Sequence, residues 1–208
     1  MNDHFTLQEI RDRMLSRKLY CGNDPQLAEE QLQRLDLLFA YNALPPSKQK
    51  EKQALLHEMF AQIGEGCYIE TPFYANWAGK FVHFGKGIYA NFGLTLVDDG
   101  EIFVGDHVMF GPHVILSAGT HPVHPELRKK QAQYNAAIRI EHNVWIGANC
   151  VVLPGVTIKE NSIIGAGSIV TKDIPANVIA VGSPCKVLRP IEEKDFLYFD
   201  TDQLIDIK

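Results

Sequence analysis

The sequence lacks an excess of positive charge. Its 20 Lys and Arg residues are outnumbered by 25 Asp and Glu residues, which gives a formal net charge of -5. Because nucleic acids and anionic membranes attract proteins through clustered positive charge, both are disfavoured as partners. The chain also lacks an apolar run of membrane-spanning length, and its start, MNDHFTLQEI, has no basic flank followed by an apolar core. We therefore expect a cytoplasmic protein.

Cysteine is scarce as well, with only Cys21, Cys67, Cys150 and Cys185 in the chain. These residues form no Cys-x-x-Cys pair and lie far apart in sequence, which predicts reduced thiols rather than a disulfide framework. A chain of 208 residues, 46% of them hydrophobic, can bury a core without disulfide or metal staples. The composition excludes disordered, collagen-like and miniature scaffolds.

Residues 1–64 have helical periodicity, with apolar side chains recurring at spacings of three and four. Thr6 and Glu9 have the spacing of a capping box at the start of a first helix. Asp24 followed by Pro25 predicts the start of a second helix. The apolar face expected for the second helix is Leu27, Leu32, Leu35, Leu38 and Phe39. A third helix is predicted from about Ser47 to Gly64, with a buried face of Leu55, Leu56, Met59, Phe60 and Ile63.

After Gly64 a period of six residues replaces the helical period. It is clearest at six consecutive aliphatic positions: Ile140, Ile146, Val152, Ile158, Ile164 and Val170. The position four residues after each is small or aliphatic: Val144, Cys150, Val156, Ser162, Ser168 and Ile174. Three six-residue faces close one coil, and coils must stack to bury their inner faces. The pattern predicts a mainly β protein, with a parallel β-helix over residues 65–190 and a C-terminal tail over 191–208.

Two interruptions break this period in the earlier coils. The ladder there consists of two sets, which are Val82, Ile88 and Leu94, and then Ile102, Val108 and Val114. The step of eight residues between the sets predicts a two-residue bulge near Asp98-Asp99-Gly100. The much longer step from the second set to Ile140 predicts that about twenty residues, within about 118–138, leave the β-helix as a loop. Loops of that length inside a compact domain are usually functional or disordered.

Four stretches carry a resemblance to a known family: IYANFGLTLVDDG, GTHPVHPELRK, NVWIGANCVVLPGVTI and SIIGAGSIVTKDIPANVIAVGSPCKVLR. They resemble the hexapeptide-repeat sugar O-acetyltransferases, which include galactoside, maltose and nodulation-factor acetyltransferases. The resemblance implies a left-handed β-helix assembled as a homotrimer, with acetyl-CoA bound between neighbouring subunits. It also implies acetyl transfer from acetyl-CoA to a hydroxyl of a galactoside, glucoside or maltose-type sugar. Our mechanistic hypothesis is direct transfer, and we expect no metal requirement.

The resemblance assigns two residues to the chemistry. A sugar hydroxyl is a poor nucleophile until a base removes its proton, and histidine suits that task at neutral pH. His121, in HPVHPELR, matches the catalytic histidine of the family. Attack on the thioester creates an oxyanion that needs a hydrogen-bond donor. Asn91, in YANF, matches the family asparagine that contacts the acceptor hydroxyl and is assigned to this stabilisation.

Four further residues are expected at the acceptor. Tyr89 and Asp99 resemble acceptor-pocket residues, the first as an apolar wall and the second as a carboxylate for sugar hydroxyls. Asp24 either contacts the sugar or only caps its helix. Asn76 lies in YANWAGK, where relatives carry a shorter segment with a polar residue facing the acceptor.

Seven residues match family positions at the CoA donor: Trp145, Ala148, Ala166, Thr171, Lys172, Lys186 and Arg189. The basic members suit the phosphates of CoA, since their charge is opposite. Trp145 lies between the inward Val144 and Ile146, so its side chain is expected to point outward.

Two alternatives stay open at the sequence level. Some left-handed β-helix trimers are carbonic anhydrases that bind a metal through three histidines at a subunit interface, and His113, His121 and His124 could supply such a set. A non-catalytic scaffold, in which the coils only mediate assembly, predicts a trimer that binds no CoA.

Overall fold

The computed structural model describes residues 5–200 and 203–205. These residues form five helices: α1 (Leu7–Met14), α2 (Pro25–Ala43), α3 (Gln49–Met59), α4 (Pro125–Lys129) and α5 (Lys194–Leu197). Residues 1–4 of the predicted helical segment, and residues 201–202 and 206–208 of the predicted tail, lie outside the described residues. The capping box of α1 is confirmed, because the side chains of Thr6 and Glu9 each accept the other's backbone N–H.

Helix α2 begins where the sequence predicts but buries a narrower face. Its buried residues are Leu27, Leu38 and Tyr41. Leu32 and Phe39, predicted to share that face, are 60% and 76% exposed, so this part of the prediction is wrong. The helix packs on α3 and on the first coils of the β-helix, and the strip of α2 that these neighbours cover leaves both side chains outside.

Helix α3 is shorter than its apolar pattern predicts. It ends at Met59 rather than near Gly64, since Phe60 adopts an extended backbone conformation and a strand begins at Gln62. The expected apolar residues still face inward, because the strand continues their burial after the helix has ended. Leu56, Met59, Phe60 and Ile63 are buried, and Leu55 packs partly buried against them.

The described residues form twenty strands, most of them two or three residues long. The first ten are β1 (Tyr20–Cys21), β2 (Gln62–Ile63), β3 (Tyr68–Ile69), β4 (Tyr74–Ala75), β5 (Val82–Phe84), β6 (Tyr89–Ala90), β7 (Thr95–Val97), β8 (Ile102–Val104), β9 (Met109–Phe110) and β10 (Ile115–Ser117). The others are β11 (Gly119–Thr120), β12 (Ala132–Asn135), β13 (Ile138–Ile140), β14 (Trp145–Ile146), β15 (Val151–Val152), β16 (Thr157–Ile158), β17 (Ile163–Ile164), β18 (Ile169–Val170), β19 (Val178–Val181) and β20 (Lys186–Pro190).

Three parallel sheets form the faces of the β-helix. The first face is β2-β5-β8-β13-β16, the second is β3-β6-β9-β14-β17-β19, and the third is β4-β7-β10-β15-β18. Successive strands of the chain move from one face to the next, and β20 closes the end by pairing antiparallel with β19. This architecture confirms the predicted fold class, a left-handed parallel β-helix with an N-terminal α-helical segment.

The ladder residues named from the sequence and their companions are all buried. The ladder nevertheless changes register between the early and late coils. Ile140 pairs with Val104, whereas Val82 pairs with Ile102 and through it with Ile138. Because alternate residues of a strand face the same side, each strand offers two inward positions two residues apart. The early sets mark the first inward position and the late set marks the second.

Extra residues enter the early coils at one corner, where the third face turns into the first. A regular coil consists of three six-residue steps, as the pairing of the late coils shows. Val82 pairs with Ile102, two positions later than a regular coil would place its partner, which confirms the two-residue bulge at Asp98. Gln62 pairs with His83, three positions later than a regular coil would, so the preceding coil is also extended at this corner. We refer to this edge as the insertion corner.

The longest insertion leaves the β-helix at the same corner, between β10 and β13, as predicted. The paired residues Val104 and Ile140 are separated by the length of two regular coils. The insertion is therefore as long as one coil, which corrects the slightly longer estimate from the sequence. It consists of β11, α4 and β12. Strand β12 pairs antiparallel with both β11 and β1, with Tyr20 opposite Gln133, so the helical segment holds the insertion in place.

The four cysteines all lie in described parts of the chain, where they are buried and form no disulfide. The reduced state expected from their spacing stays a prediction. Burial raises the pKa of the Cys67, Cys150 and Cys185 thiols, which lowers their reactivity as nucleophiles. Among the described helices, none combines the length and apolar character needed to cross a bilayer.

Candidate functional site

His121 follows β11 at the start of the long insertion. Its Nδ1 atom lies 2.9 Å from the carbonyl oxygen of Ala132 on the opposite strand. A neutral imidazole in this position donates Nδ1–H to the carbonyl, which leaves Nε2 with a lone pair. The side chain is exposed, so this nitrogen can reach a proton on a bound molecule.

The loop that carries His121 is held by its own side chains. His124 caps α4 by accepting the backbone N–H of Glu126 at 3.3 Å. The guanidinium of Arg128 donates to the carbonyls of Pro122 and Val123. These contacts fix the turn, yet they leave Val123 91% exposed at its tip.

A predominantly apolar groove of about 680 Å³ runs along the second face of the β-helix. It brings together five of the residues predicted from the sequence: Tyr89, Asn91, Trp145, Ala148 and Ala166. Trp145 is 48% exposed, as its position between two inward residues predicts. The groove also includes Met109, whose sequence position gave no functional signal. Five residues from two predicted sites, donor and acceptor, thus share one continuous surface.

Glycines allow the coils to approach closely beside this groove. A Cβ atom on Gly147 would lie 2.7 Å from the backbone nitrogen of Ala166, and one on Gly111 would lie 2.7 Å from that of Ala148. Contacts that short are not tolerated, so a side chain at either glycine would push the coils apart. The Ile-Gly and Phe-Gly steps of the repeat therefore allow the close stacking of the coils that form the groove.

Asn91 is oriented within the groove by its own backbone neighbours. Its N–H donates to the carbonyl of Phe110 on the next coil at 3.0 Å. Its Oδ1 accepts the backbone N–H of Phe92 at 2.8 Å. Because the amide oxygen is engaged, the Nδ2 end is the part of the side chain that offers hydrogen bonds to a bound molecule.

A second, smaller cavity of about 190 Å³ lies at the insertion corner beside Asp99. Its lining is Met14, Tyr20, Gly22, Leu27, Gln31, Trp77, Asp99 and Gln133. We call it the Asp99 cavity. Only Asp99 was expected here from the sequence. Asn76 donates to the Asp99 carboxylate through Nδ2 at 2.8 Å, so two of the predicted acceptor residues are in contact.

Burial sets the charge state of two groups around the Asp99 cavity. Desolvation raises the pKa of Tyr20 to about 12, so its hydroxyl is neutral and can serve as a donor. Desolvation also raises the pKa of Asp98 to about 7, against the opposing effect of backbone N–H groups donated by Trp77 and Gly79. The corner therefore holds one carboxylate that titrates near neutrality beside Asp99.

Several predicted residues lie apart from both cavities. Asp24 uses its carboxylate to cap α2, accepting the N–H groups of Gln26 and Leu27 at 2.9 and 3.3 Å. Thr171, Lys172 and Lys186 are exposed. Arg189 is engaged by Asp195 in a third cavity, of about 430 Å³, near the C-terminal end. One copy of the chain therefore does not bring the whole predicted donor set together.

The three histidines of the metal alternative have other contacts. His121 bonds Ala132, His124 caps α4, and His113 packs edge-on against Phe92 with ring centroids 5.3 Å apart. Across residues 5–200 and 203–205, no group of three or more His, Cys, Asp or Glu side chains is arranged to hold a metal ion.

Two family motifs match the chain. Residues 13–64 match the maltose acetyltransferase hexapeptide capping motif, and residues 137–172 match the bacterial transferase hexapeptide with its six repeats. A galactoside O-acetyltransferase of Lactococcus lactis subsp. lactis (strain IL1403) is 55% identical over 199 residues, which is 96% of each chain.

Two solved structures are similar over most of the chain. A galactoside acetyltransferase in complex with coenzyme A has a TM-score of 0.91 and 44% identity, covering 95% of this chain and 98% of that one. A maltose O-acetyltransferase from Clostridium difficile 630 has a TM-score of 0.85 and 35% identity, covering 88% of this chain and 98% of that one.

Proposed function

Because the chain belongs to the hexapeptide-repeat family of galactoside and maltose O-acetyltransferases, we propose that it acetylates a hydroxyl of a galactoside, glucoside or maltose-type sugar. Acetyl-CoA is the donor, and transfer is direct. The observation that carries the mechanism is the Nδ1–H bond from His121 to the carbonyl of Ala132, since it presents Nε2 as a general base.

In this mechanism Nε2 of His121 removes the proton from the sugar hydroxyl as its oxygen attacks the thioester carbonyl carbon. The resulting oxyanion is stabilised by Nδ2–H of Asn91, whose Oδ1 is already held by Phe92. When the tetrahedral intermediate collapses, the C–S bond breaks. The departing CoA thiolate takes the proton from His121, leaving an acetyl ester and CoA.

Acetyl-CoA is proposed to lie along the groove, with its acetyl end near Asn91 and its pantetheine arm against Trp145, Ala148 and Ala166. The groove supports this assignment because it is predominantly apolar, as the pantetheine arm requires. Thr171, Lys172, Lys186 and Arg189 are proposed to receive the phosphates. Since one chain does not place these residues at the groove, we propose a homotrimer in which a neighbouring subunit completes each donor site.

The groove and the insertion corner lie on opposite sides of one chain. The acceptor is therefore proposed to lie between two subunits, with Tyr89 and Asn91 from one and His121 and the Asn76–Asp99 pair from its neighbour. Carboxylate and amide groups of this kind suit sugar hydroxyls, which both donate and accept hydrogen bonds. Asp24 caps α2 through Oδ1, and contact of the same carboxylate with the sugar stays a proposal. A cytoplasmic location stays a prediction of the sequence.

The test is release of free thiol from acetyl-CoA, measured with galactosides, glucosides, maltose and no acceptor. We expect release that depends on a sugar and falls by roughly 10²–10⁴-fold in His121→Ala, with acetyl-CoA binding retained. His57→Ala is the matched control, since His57 is an exposed histidine of α3. Turnover within a few-fold of the unaltered protein in His121→Ala would contradict the assignment of the base.

Chelation, histidine substitutions and CoA titration separate this function from the two alternatives, a metal-dependent hydratase and a non-catalytic scaffold. A metal-dependent hydratase would lose activity on chelation and would require His113 and His124 as much as His121. A scaffold would bind no CoA in direct titration. Sugar-dependent thiol release that survives chelation and the substitutions His113→Ala and His124→Ala would exclude both.

A further inference from the structure

The carboxylate of Asp98 is fully buried, yet the mechanism above gives it no task. Its Oδ1 accepts the backbone N–H of Trp77 at 2.8 Å, and its Oδ2 accepts that of Gly79 at 2.9 Å. Both donors lie one coil away, in the three-residue insertion. The Asp98 carboxylate therefore accepts two charge-assisted hydrogen bonds, which hold that insertion against the next coil.

The segment that Asp98 fastens has an unfavourable backbone conformation. Ala78 has φ of 52° and Gly79 has φ of 85°, and a left-handed alanine is costly without compensation. A Cβ on Gly79 would lie 2.7 Å from the Phe60 ring, so the turn is also pressed against the core. The N–H groups on either side of Ala78 are the ones that Asp98 accepts, which is how the turn is held.

This turn determines the shape of the Asp99 cavity. Trp77 begins it and lines the cavity, and the preceding residue, Asn76, donates to the Asp99 carboxylate at 2.8 Å. The indole Nε1 of Trp77 is buried and has no hydrogen-bond partner among the described residues. Because this nitrogen is inaccessible, the polar lining residues that the cavity offers to a bound molecule are Asp99, Tyr20, Gln31 and Gln133.

We propose that Asp98 is a positioning residue for the sugar acceptor, which acts by holding the Trp77–Gly79 turn so that Trp77 and the Asn76–Asp99 pair are correctly placed to receive it. The proposal rests on the proposed function, because it takes the Asp99 cavity as the place of the acceptor. It assigns Asp98 to acceptor affinity and not to the chemical step.

The arrangement implies that acceptor affinity depends on pH. An ionised carboxylate accepts both N–H groups well, whereas a protonated one turns an acceptor oxygen into a hydroxyl. Around the corner, Asp99 opposes ionisation of Asp98, Tyr20 stays neutral because its pKa is raised to about 12, and Lys80 is paired with Glu30. Since the pKa of Asp98 is about 7, we expect the affinity for the sugar to weaken as the pH falls below neutrality.

The first experiment varies sugar and acetyl-CoA independently at about pH 8. In Asp98→Asn we expect KM for the sugar to rise about tenfold, with kcat and KM for acetyl-CoA within about twofold. Asp106→Asn is the matched control. The Asp106 carboxylate also accepts a backbone N–H from the preceding coil, that of Lys86 at 2.9 Å, but it lies at a corner without insertions. Equal effects of the two substitutions, or a fall in kcat without a change in KM for the sugar, would overturn the proposal.

The second experiment measures sugar binding directly in His121→Ala, which removes the titration of the base. With Asp98 intact, binding should tighten about tenfold from about pH 6 to about pH 8.5, and in the double variant with Asp98→Asn it should be weak and independent of pH. Binding independent of pH with Asp98 present overturns the proposal even if Asp98→Asn does not fold. A wild-type protein that acetylates no sugar refutes the proposed function itself, and that result is separate from either outcome here.

Discussion

Asp195 holds the guanidinium of Arg189 through two parallel hydrogen bonds, of 2.7 and 2.8 Å. This paired contact lowers the pKa of Asp195 to about 2 and raises that of Arg189, so both groups are charged throughout the neutral range. Arg189 is also the C-terminal member of the proposed phosphate set. Its charge is thus partly neutralised by a carboxylate of the same chain before any phosphate arrives.

The first prediction follows from that neutralisation. Asp195→Asn removes the negative charge while keeping a side chain of the same shape, so Arg189 should attract the phosphates of acetyl-CoA more strongly. We expect KM for acetyl-CoA to fall about threefold at low ionic strength, with KM for the sugar unchanged. Steady-state kinetics with acetyl-CoA and with an acetyl donor lacking the ribose phosphate would measure it. A rise in KM would mean that Asp195 orients Arg189 rather than competing for it.

The second prediction concerns stability and the raised pKa of Asp98, about 7 against 3.8 in an ordinary aspartate. The folded protein holds this proton more tightly than the unfolded chain does. The stabilisation that the higher proton affinity of Asp98 gives the folded state is therefore complete below about pH 4. It is lost as the pH rises through about 7, where Asp98 ionises in the folded protein. Between pH 5 and pH 8 the free energy of unfolding of the wild type should fall by roughly 2 kcal/mol relative to Asp98→Asn. Denaturant titration of both proteins at equal concentration would check it. A difference that does not change with pH would contradict it.

The sequence predicted the coils well because their core is repetitive. Each short strand must place small or aliphatic side chains inward at a fixed spacing, and that requirement recurs every six residues. The aliphatic period marks different inward positions in the early and late coils. In the early coils the second inward position includes Phe84 and Phe110, so aliphatic residues do not recur there at every step. In the early coils the aliphatic period therefore follows the first inward position. Either position identifies the fold, but only the pairing distinguishes them.

The site was less predictable where it depends on contacts distant in sequence. Tyr20 and Gln133 line the Asp99 cavity because β1 pairs with β12 across more than a hundred residues. Nothing local in either segment signals that pairing. Asp98 was recognised as part of a bulge, yet its contacts with Trp77 and Gly79 follow from stacking of two insertions at one corner. The two-residue bulge at Asp98 was predicted from the sequence, whereas the three-residue insertion at Trp77–Gly79 was not.

The third prediction concerns Asn135, which is buried at the base of the long insertion. Its Nδ2 donates to the carbonyls of Met14 and Asp99 and to the hydroxyl of Tyr20. Asn135→Ala leaves these buried acceptors with one donor fewer, which should cost about 1–3 kcal/mol of unfolding free energy. Gln33→Ala, at an exposed hydrogen bond with Glu29, should change it by less than about 0.5 kcal/mol. Equal effects in chemical denaturation would contradict a structural role for Asn135.

The last prediction tests whether one active site draws on two subunits. His121 opens the long insertion, whereas Lys172 follows β18 and lies outside the groove that carries Asn91. If a neighbouring subunit supplies Lys172, then His121→Ala and Lys172→Ala proteins, each inactive at low acetyl-CoA, should recover activity when unfolded together and reassembled. An equal mixture should reach roughly a quarter of wild-type activity, because each of the two contributing subunits carries the required residue half of the time. Mass measurement would verify that the trimers are mixed. If verified mixed trimers stay inactive, one chain supplies both residues, and the donor site lies within a single subunit.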